Sequence, residues 1–208
     1  MKTAHDLVEE AKKQNETAKI RNVGITFETR PDICETEHID RILEMGGTRV
    51  EMGVQTVFEE THEITNRGHG MGPVIEATKR LKNAGFKVAY HLMLGLPGED
   101  YEKDIEKFKE VFSNADYQPD EIKIYPCEVI QGTELYRQYE EGEFEPITEE
   151  EAKDRLKEVK KRFIPPYVRI KRVMRDIPST EVEAGPALTN MRQMALQELH
   201  KEGKRCTN

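Results

Sequence analysis

The chain has 208 residues, 36% of them hydrophobic and 35% charged, with no tryptophan and a mean hydropathy of −0.76. No window approaches the roughly 18 apolar residues that a spanning helix needs, and no apolar run near the N-terminus resembles a signal peptide. This composition excludes a membrane protein and leads us to expect a cytoplasmic one. Three widely spaced cysteines, Cys34, Cys127 and Cys206, argue against a disulfide framework and against any self-contained iron–sulfur site built on closely spaced thiolates.

In chain order, a helical stretch on Leu7, Val8 and Ala11 precedes a strand-like run over 23–27, which Arg30-Pro31-Asp32 ends. Ile39, Ile42 and Leu43 recur at helical spacing until Gly46-Gly47 stops them. Residues 49–52 form the second strand, followed by two short helical stretches, one opening at Gly72-Pro73. Residues 87–94 form the third strand, broken by Gly95-Leu-Pro-Gly98. Ile105, Phe108 and Phe112 stripe the next helix, and 121–125 form the fourth strand, stopped by Pro126. Gaps this long, each with room for a helix, indicate βαβ crossovers and a parallel sheet rather than hairpins. The fold class expected is α/β, either doubly wound or part of a β/α barrel. In both, chemistry gathers where the strands end.

After residue 165 that rhythm stops, and we divide the chain into 1–165 and a C-terminal extension, 166–208. Pro165-Pro166 breaks the helix, residues 168–174 alternate apolar and basic side chains, and 177–180 read as a turn. Gly185-Pro186 then opens a last helix through Leu188, Met191, Ala195 and Leu199. Between residues 153 and 175 stand ten Lys/Arg and two acidic residues, a net +8 inside a chain of net −8. A split of this size suggests a polyanion contact on one face. Over 153–162 the favoured reading is a solvated helix of mixed charge.

The strand ends hold the residues to read for chemistry. A carboxylate at Glu28 would suit a ribose or amino group, or pair with Arg30. Gln55 offers a donor and an acceptor beside Gly53, where an absent side chain lets a ligand approach. Arg67 would suit a carboxylate clamp. His91 precedes a stretch bracketed by Gly95 and Gly98 that suits contact with a flat ring. The recurrence of such residues at successive strand ends points to a polar small-molecule site on one sheet face.

Five blocks occur in order: Gly24-Ile-Thr-Phe-Glu-Thr-Arg-Pro-Asp32, Arg49-Val-Glu-Met-Gly-Val-Gln-Thr56, His91-Leu-Met-Leu-Gly-Leu-Pro-Gly-Glu99, the run from Lys123 to Leu135, and Arg169-Ile-Lys-Arg-Val-Met-Arg-Asp-Ile-Pro-Ser179. Together they resemble the radical S-adenosylmethionine (SAM) region of the Elongator catalytic-subunit family, tRNA wobble-uridine modifying enzymes, in an archaeal version. The resemblance implies a partial β/α barrel holding the last four of six strands. Its cluster loop (CxxxCxxC) and glycine-rich motif would lie before Met1, and its acetyltransferase domain, which binds acetyl-CoA, beyond Asn208.

By the same resemblance, Glu28, Gln55, Arg67 and His91 match SAM-contacting positions, with Gly95 and Tyr125 bordering the adenine. Tyr167, Arg169, Lys171, Arg172 and Arg175 match a segment facing the tRNA anticodon region. Cys206 is a possible remnant zinc ligand, and no metal site is expected within this chain. The cofactors implied for the intact protein are SAM and a 4Fe–4S cluster. Its expected reaction joins an acetyl-CoA-derived unit to C5 of the wobble uridine, giving 5-carboxymethyluridine. Elongator-type subunits or a second copy are the expected partners, and the chain alone is expected to be inactive. A rival reading, a non-catalytic tRNA-binding module derived from that barrel, stays open.

Overall fold

The computed structural model describes residues 2–174, 178–188 and 190–204. Its centre is a five-stranded parallel sheet in the order β1-β2-β3-β4-β6: β1 (Thr26–Thr29), β2 (Arg49–Gln55), β3 (Lys87–Leu94), β4 (Glu121–Pro126) and β6 (Arg169–Val173). Between β4 and β6, β5 (Val129–Ile130) pairs antiparallel with β7 (Val182–Ala184). The helices are α1 (Ala4–Thr17), α2 (Thr36–Glu44), α3 (Glu59–Ile64), α4 (Met71–Asn83), α5 (Tyr101–Ser113), α6 (Glu134–Glu140), α7 (Glu149–Arg162) and α8 (Met191–Lys201).

The four expected parallel strands are present, and the basic stretch of the C-terminal extension adds a fifth, β6. Two bounds moved. The first strand begins at Thr26, because Val23 is 89% exposed and precedes the ladder. The last helix begins at Met191, so Gly185-Pro186 and Leu188 lie ahead of it, just after β7. Arg175, Ile177 and Cys206 fall outside the described residues.

Strand periodicity divides the sheet into two unlike faces. Val50, Met52, Val54, Val88, Tyr90, Leu92, Leu94, Ile122, Ile124 and Ile170 are buried in the main core on the helix-covered side. The register places Glu28, Glu51, His91 and Lys123 together on the other side. Parallel strands covered on both faces read as near-continuous apolar runs. Here alternate positions are charged, which marks the second face as a polar surface.

The basic helix α7 is not the solvated surface expected. Lys153, Arg155 and Lys160 are all buried. Lys153 and Lys157 pair with Glu198 of α8 at 2.7 and 2.6 Å, and Arg155 pairs with Asp104 of α5. Helix α7 is wedged between α5 and α8, so its cations tie helices together by charge. The Glu198 carboxyl is held down at about 2 by hydrogen bonds from Lys153 and Lys157.

Candidate functional site

A cavity of about 300 Å³ opens at the C-terminal ends of the strands, lined by Glu28 of β1, Gln55 of β2, His91 and Met93 of β3, and Lys123, Tyr125 and Pro126 of β4, with Glu128, Ile130 and Arg172. Four of the six expected SAM-type residues therefore meet in one place. Gln55 is held at φ +69, in the left-handed region that a non-glycine residue adopts only under local constraint. The β2–β3 register shifts between Met52 and Gln55, and this irregularity turns Gln55 to the cavity. Its Oε1 is buried without a hydrogen-bond partner among the described residues, an acceptor awaiting a donor.

The other two residues, Arg67 and Gly95, are not among those that line the cavity. Arg67 donates from Nη2 to the Gly53 carbonyl at 2.8 Å, and a Cβ on Gly53 would lie 2.6 Å from that nitrogen. The open space at Gly53 is thus filled by the chain's own guanidinium. Gly95 has φ +69 and is buried against Ile147, so its glycine requirement comes from packing rather than from facing the cavity.

Beneath the cavity lies a line of alternating charges that the residue-by-residue reading of strand ends missed. Arg49 pairs with Glu121 at 2.8 Å, and Glu121 lies 3.5 Å from Lys171. Lys171 pairs with Glu51, Glu51 with Lys123, and Lys123 with Glu28 at 2.8 Å. His91 Nε2 donates to Glu51 Oε2 at 3.0 Å, and its ring meets the Tyr125 ring edge-on at 5.7 Å. Burial alone would raise the Glu51 pKa. Hydrogen bonds from Lys123, Lys171 and His91 overturn this and hold the carboxyl well below the usual range. Burial pushes the His91 imidazole below its ordinary value despite the Glu51 contact, leaving it neutral at pH 7. The ligand atoms of Glu28, Glu51 and His91 lie within 4.8 Å of one another, a grouping that suits a cation. The cation that the two carboxylates hold is the Lys123 ammonium.

The basic stretch is divided. Arg172 lines the cavity, whereas Tyr167, Arg169 and Lys171 border a second cleft with Arg192, at the start of β6 and so at the opposite end of that strand. A register shift between β4 and β6 sets Arg172 opposite Lys123, so that Lys171 and Arg172 both turn to the polar face, Lys171 reaching Glu51 and Arg172 the cavity. Arg192, absent from the sequence reading, donates to the Ile170 carbonyl at 3.0 Å.

The Gly95–Gly98 turn is anchored from behind by a buried ionic group. Lys107 Nζ donates to Glu99 at 2.5 Å, to Asp104 at 2.8 Å and to the Met93 carbonyl. Asp104 accepts from the Gly95 amide at 2.9 Å and from Arg155, and Thr56 Oγ1 donates to Glu99. Two anions and two cations balance there. Through Thr56, the group reaches the residue next to Gln55.

Residues 2–111 match the model of the Radical SAM superfamily, and residues 119–201 match that of the Radical_SAM C-terminal domain. The chain belongs to the radical SAM superfamily. This radical SAM chain is 46% identical to the tRNA uridine(34) acetyltransferase of Methanocaldococcus infernus over 199 residues, 96% of the chain and 37% of that relative. It is 40% identical to Elongator complex protein 3 of Schizosaccharomyces pombe over 204 residues, 98% of the chain and again 37% of the relative. A solved structure, archaeal M. infernus Elp3 with an N-terminal deletion, superposes with a TM-score of 0.91 at 46% identity, covering 95% of this chain and 46% of that one. The radical SAM chain thus spans little more than a third of the curated relatives it matches. The resemblance carried by the five sequence blocks is borne out.

Proposed function

We propose that the chain forms the SAM-binding wall and part of the RNA-facing surface of a tRNA wobble-uridine modifying radical SAM enzyme. The observation that carries this reading is the convergence of Glu28, Gln55, His91 and Tyr125, from four strands, on one cavity. The residues present fit SAM: the Gln55 carbonyl oxygen lacks a donor, Glu28 offers a carboxylate, and Met93, Tyr125 and Pro126 offer apolar surface for a flat ring. When bound, SAM supplies the radical chemistry of the superfamily, and these residues orient it. The two cysteines among the described residues, Cys34 and Cys127, do not fit a 4Fe–4S cluster. Burial pushes the Cys34 thiol up to about 11 and the Cys127 thiol up to about 12, so both stay protonated, and the two stand 93 positions apart in sequence.

The relatives' names support a tRNA uridine as substrate; acetyl-CoA as the source of the added unit and 5-carboxymethyluridine as the product are what the sequence resemblance implies. Elongator-type subunits or a second copy are the partners that this reading implies. No helix among the described residues is long and apolar enough to cross a membrane. Calorimetric titration with SAM should give saturable binding, and Gln55→Ala should weaken it about tenfold, the scale of one lost buried hydrogen bond. Absence of binding, or binding indifferent to Gln55→Ala, would overturn the cavity assignment.

RNA contact is tested separately. Tyr167, Arg169, Lys171 and Arg172 remain the residues we assign to tRNA, Lys171 in competition with Glu51, and Arg175 joins them from sequence alone. Arg169→Glu and Arg172→Glu should each weaken tRNA binding and flatten its salt dependence, with the slope of log affinity against log salt falling by at least about 1. An unchanged slope would remove RNA from this face.

A further inference from the structure

Glu51 is a carboxylate only 2% exposed, and cationic or polar groups from three other strands converge on it: His91 of β3, Lys123 of β4 and Lys171 of β6. Such a group carries a heavy desolvation cost that its partners must offset. An apolar residue, like its neighbours Val50 and Met52, would have served packing alone. Two of the three partners, His91 and Lys123, line the cavity, whereas Glu51 does not. Lys171 instead approaches from the basic strand and also faces Glu121 at 3.5 Å.

We propose that Glu51 is a positioning residue of the cavity, holding the His91 ring and the Lys123 ammonium where a ligand meets them, with Lys171 as its counter-charge from the basic strand. This deepens the SAM-site reading and rests on it. As an ionised acceptor, Glu51 fixes the proton of neutral His91 on Nε2 and leaves Nδ1 as the unprotonated nitrogen. The groups facing His91 are Glu28 from β1, Glu51 from β2, and Lys123 and Tyr125 from β4. Glu51 also pulls Lys123 back from Glu28, so the ammonium is shared between the cavity lip and its floor. Without Glu51, Lys123 would belong to Glu28 alone and the imidazole would lose its orienting partner. Lys171 reads differently in this light: any RNA phosphate that meets it must compete with Glu51 for its ammonium.

The test compares the full chain with Glu51→Gln and with Glu51→Gln/Lys171→Gln. The double variant removes one anion and one cation together, so it keeps the local charge balance if the single variant fails to fold. Imidazole ¹⁵N spectra of the wild type at pH 7 should show His91 as the neutral Nε2–H tautomer. Both variants should show a tautomer mixture and bind SAM about tenfold more weakly, as for other groups that orient a ligand contact. A variant that folds, keeps the single tautomer and binds SAM as the wild type does would overturn the proposal. So would SAM binding restored by the double variant, since that outcome would make Glu51 a matter of charge balance alone. If the wild type binds no SAM, the SAM reading fails by itself, and the tautomer spectra still decide whether Glu51 orients His91.

Discussion

Lys107→Met should lower the unfolding free energy in urea by about 3–5 kcal/mol, the usual cost of removing one partner from a buried ion pair. The Lys107 side chain is fully buried and holds two carboxylates, Glu99 and Asp104, at 2.5 and 2.8 Å. Those carboxylates outweigh the burial that alone would discharge the ammonium, and Lys107 stays a cation. In the variant Asp104 keeps Arg155 and the Gly95 amide, but Glu99 keeps only Thr56. A carboxyl left there becomes easier to protonate. Burial already raises its pKa in the wild type. A group whose folded pKa lies above its unfolded value of about 4.3 contributes stability at low pH that is lost as pH rises through the folded value. The deficit of Lys107→Met should therefore be smallest in mild acid and grow toward neutrality. A deficit independent of pH would show that Glu99 is not the group left stranded.

Gly95→Ala should cost roughly 2–5 kcal/mol. The left-handed conformation at φ +69 contributes about 1–2 of this, and forcing a methyl into a packed site contributes about 1–3. That methyl would lie 2.7 Å from Ile147 Cγ2 and 2.9 Å from two other Ile147 carbons. Ile147 directly precedes Thr148, whose side chain caps α7 in a reciprocal arrangement with Glu151, so the strain falls on the start of that helix. Gly98→Ala provides the control. Its φ is +80, but its methyl would meet only Cδ1 of Ile64, the end of an exposed side chain that can turn aside. It should show the conformational cost alone, about 1–2 kcal/mol. Equal losses at the two positions, read from urea or thermal unfolding, would remove Ile147 from the account.

Much of this architecture is legible in residue order because strand and helix periods differ. Lys87–Leu94 is found at its full length, since a long β-rich run between Gly85 and Gly95 leaves little room for another reading. Glu28, Gln55, His91 and Tyr125 could be placed on one site because parallel topology brings strand ends together. Arg67 and Gly95 resist that logic. Gly95 directly follows β3 and Arg67 lies between α3 and α4, but whether either faces the cavity depends on contacts with distant residues, here Ile147 and Gly53. The burial of Lys153, Arg155 and Lys160 was hidden for the same reason, as their anionic partners lie on other helices. Glu51, Lys123 and Lys171 did leave a signal. Charged residues at alternate positions of central parallel strands, with opposite signs on different strands, mark a polar interior face.

The strand order also sets a gradient of local opening. β3 is bonded on both sides at the centre of the sheet, whereas β1 is four residues long and bonded to β2 alone among the described strands. Backbone amides of β3 should exchange with solvent only through global unfolding, and those of β1 through cheaper fraying. The cavity accordingly has a slow wall and a fast one. His91 stands on the slow wall, and Glu28, tied to it through Lys123, stands on the fast one. Within these 208 residues, local opening on the Glu28 side leaves the imidazole and the carboxylate beneath it in their geometry.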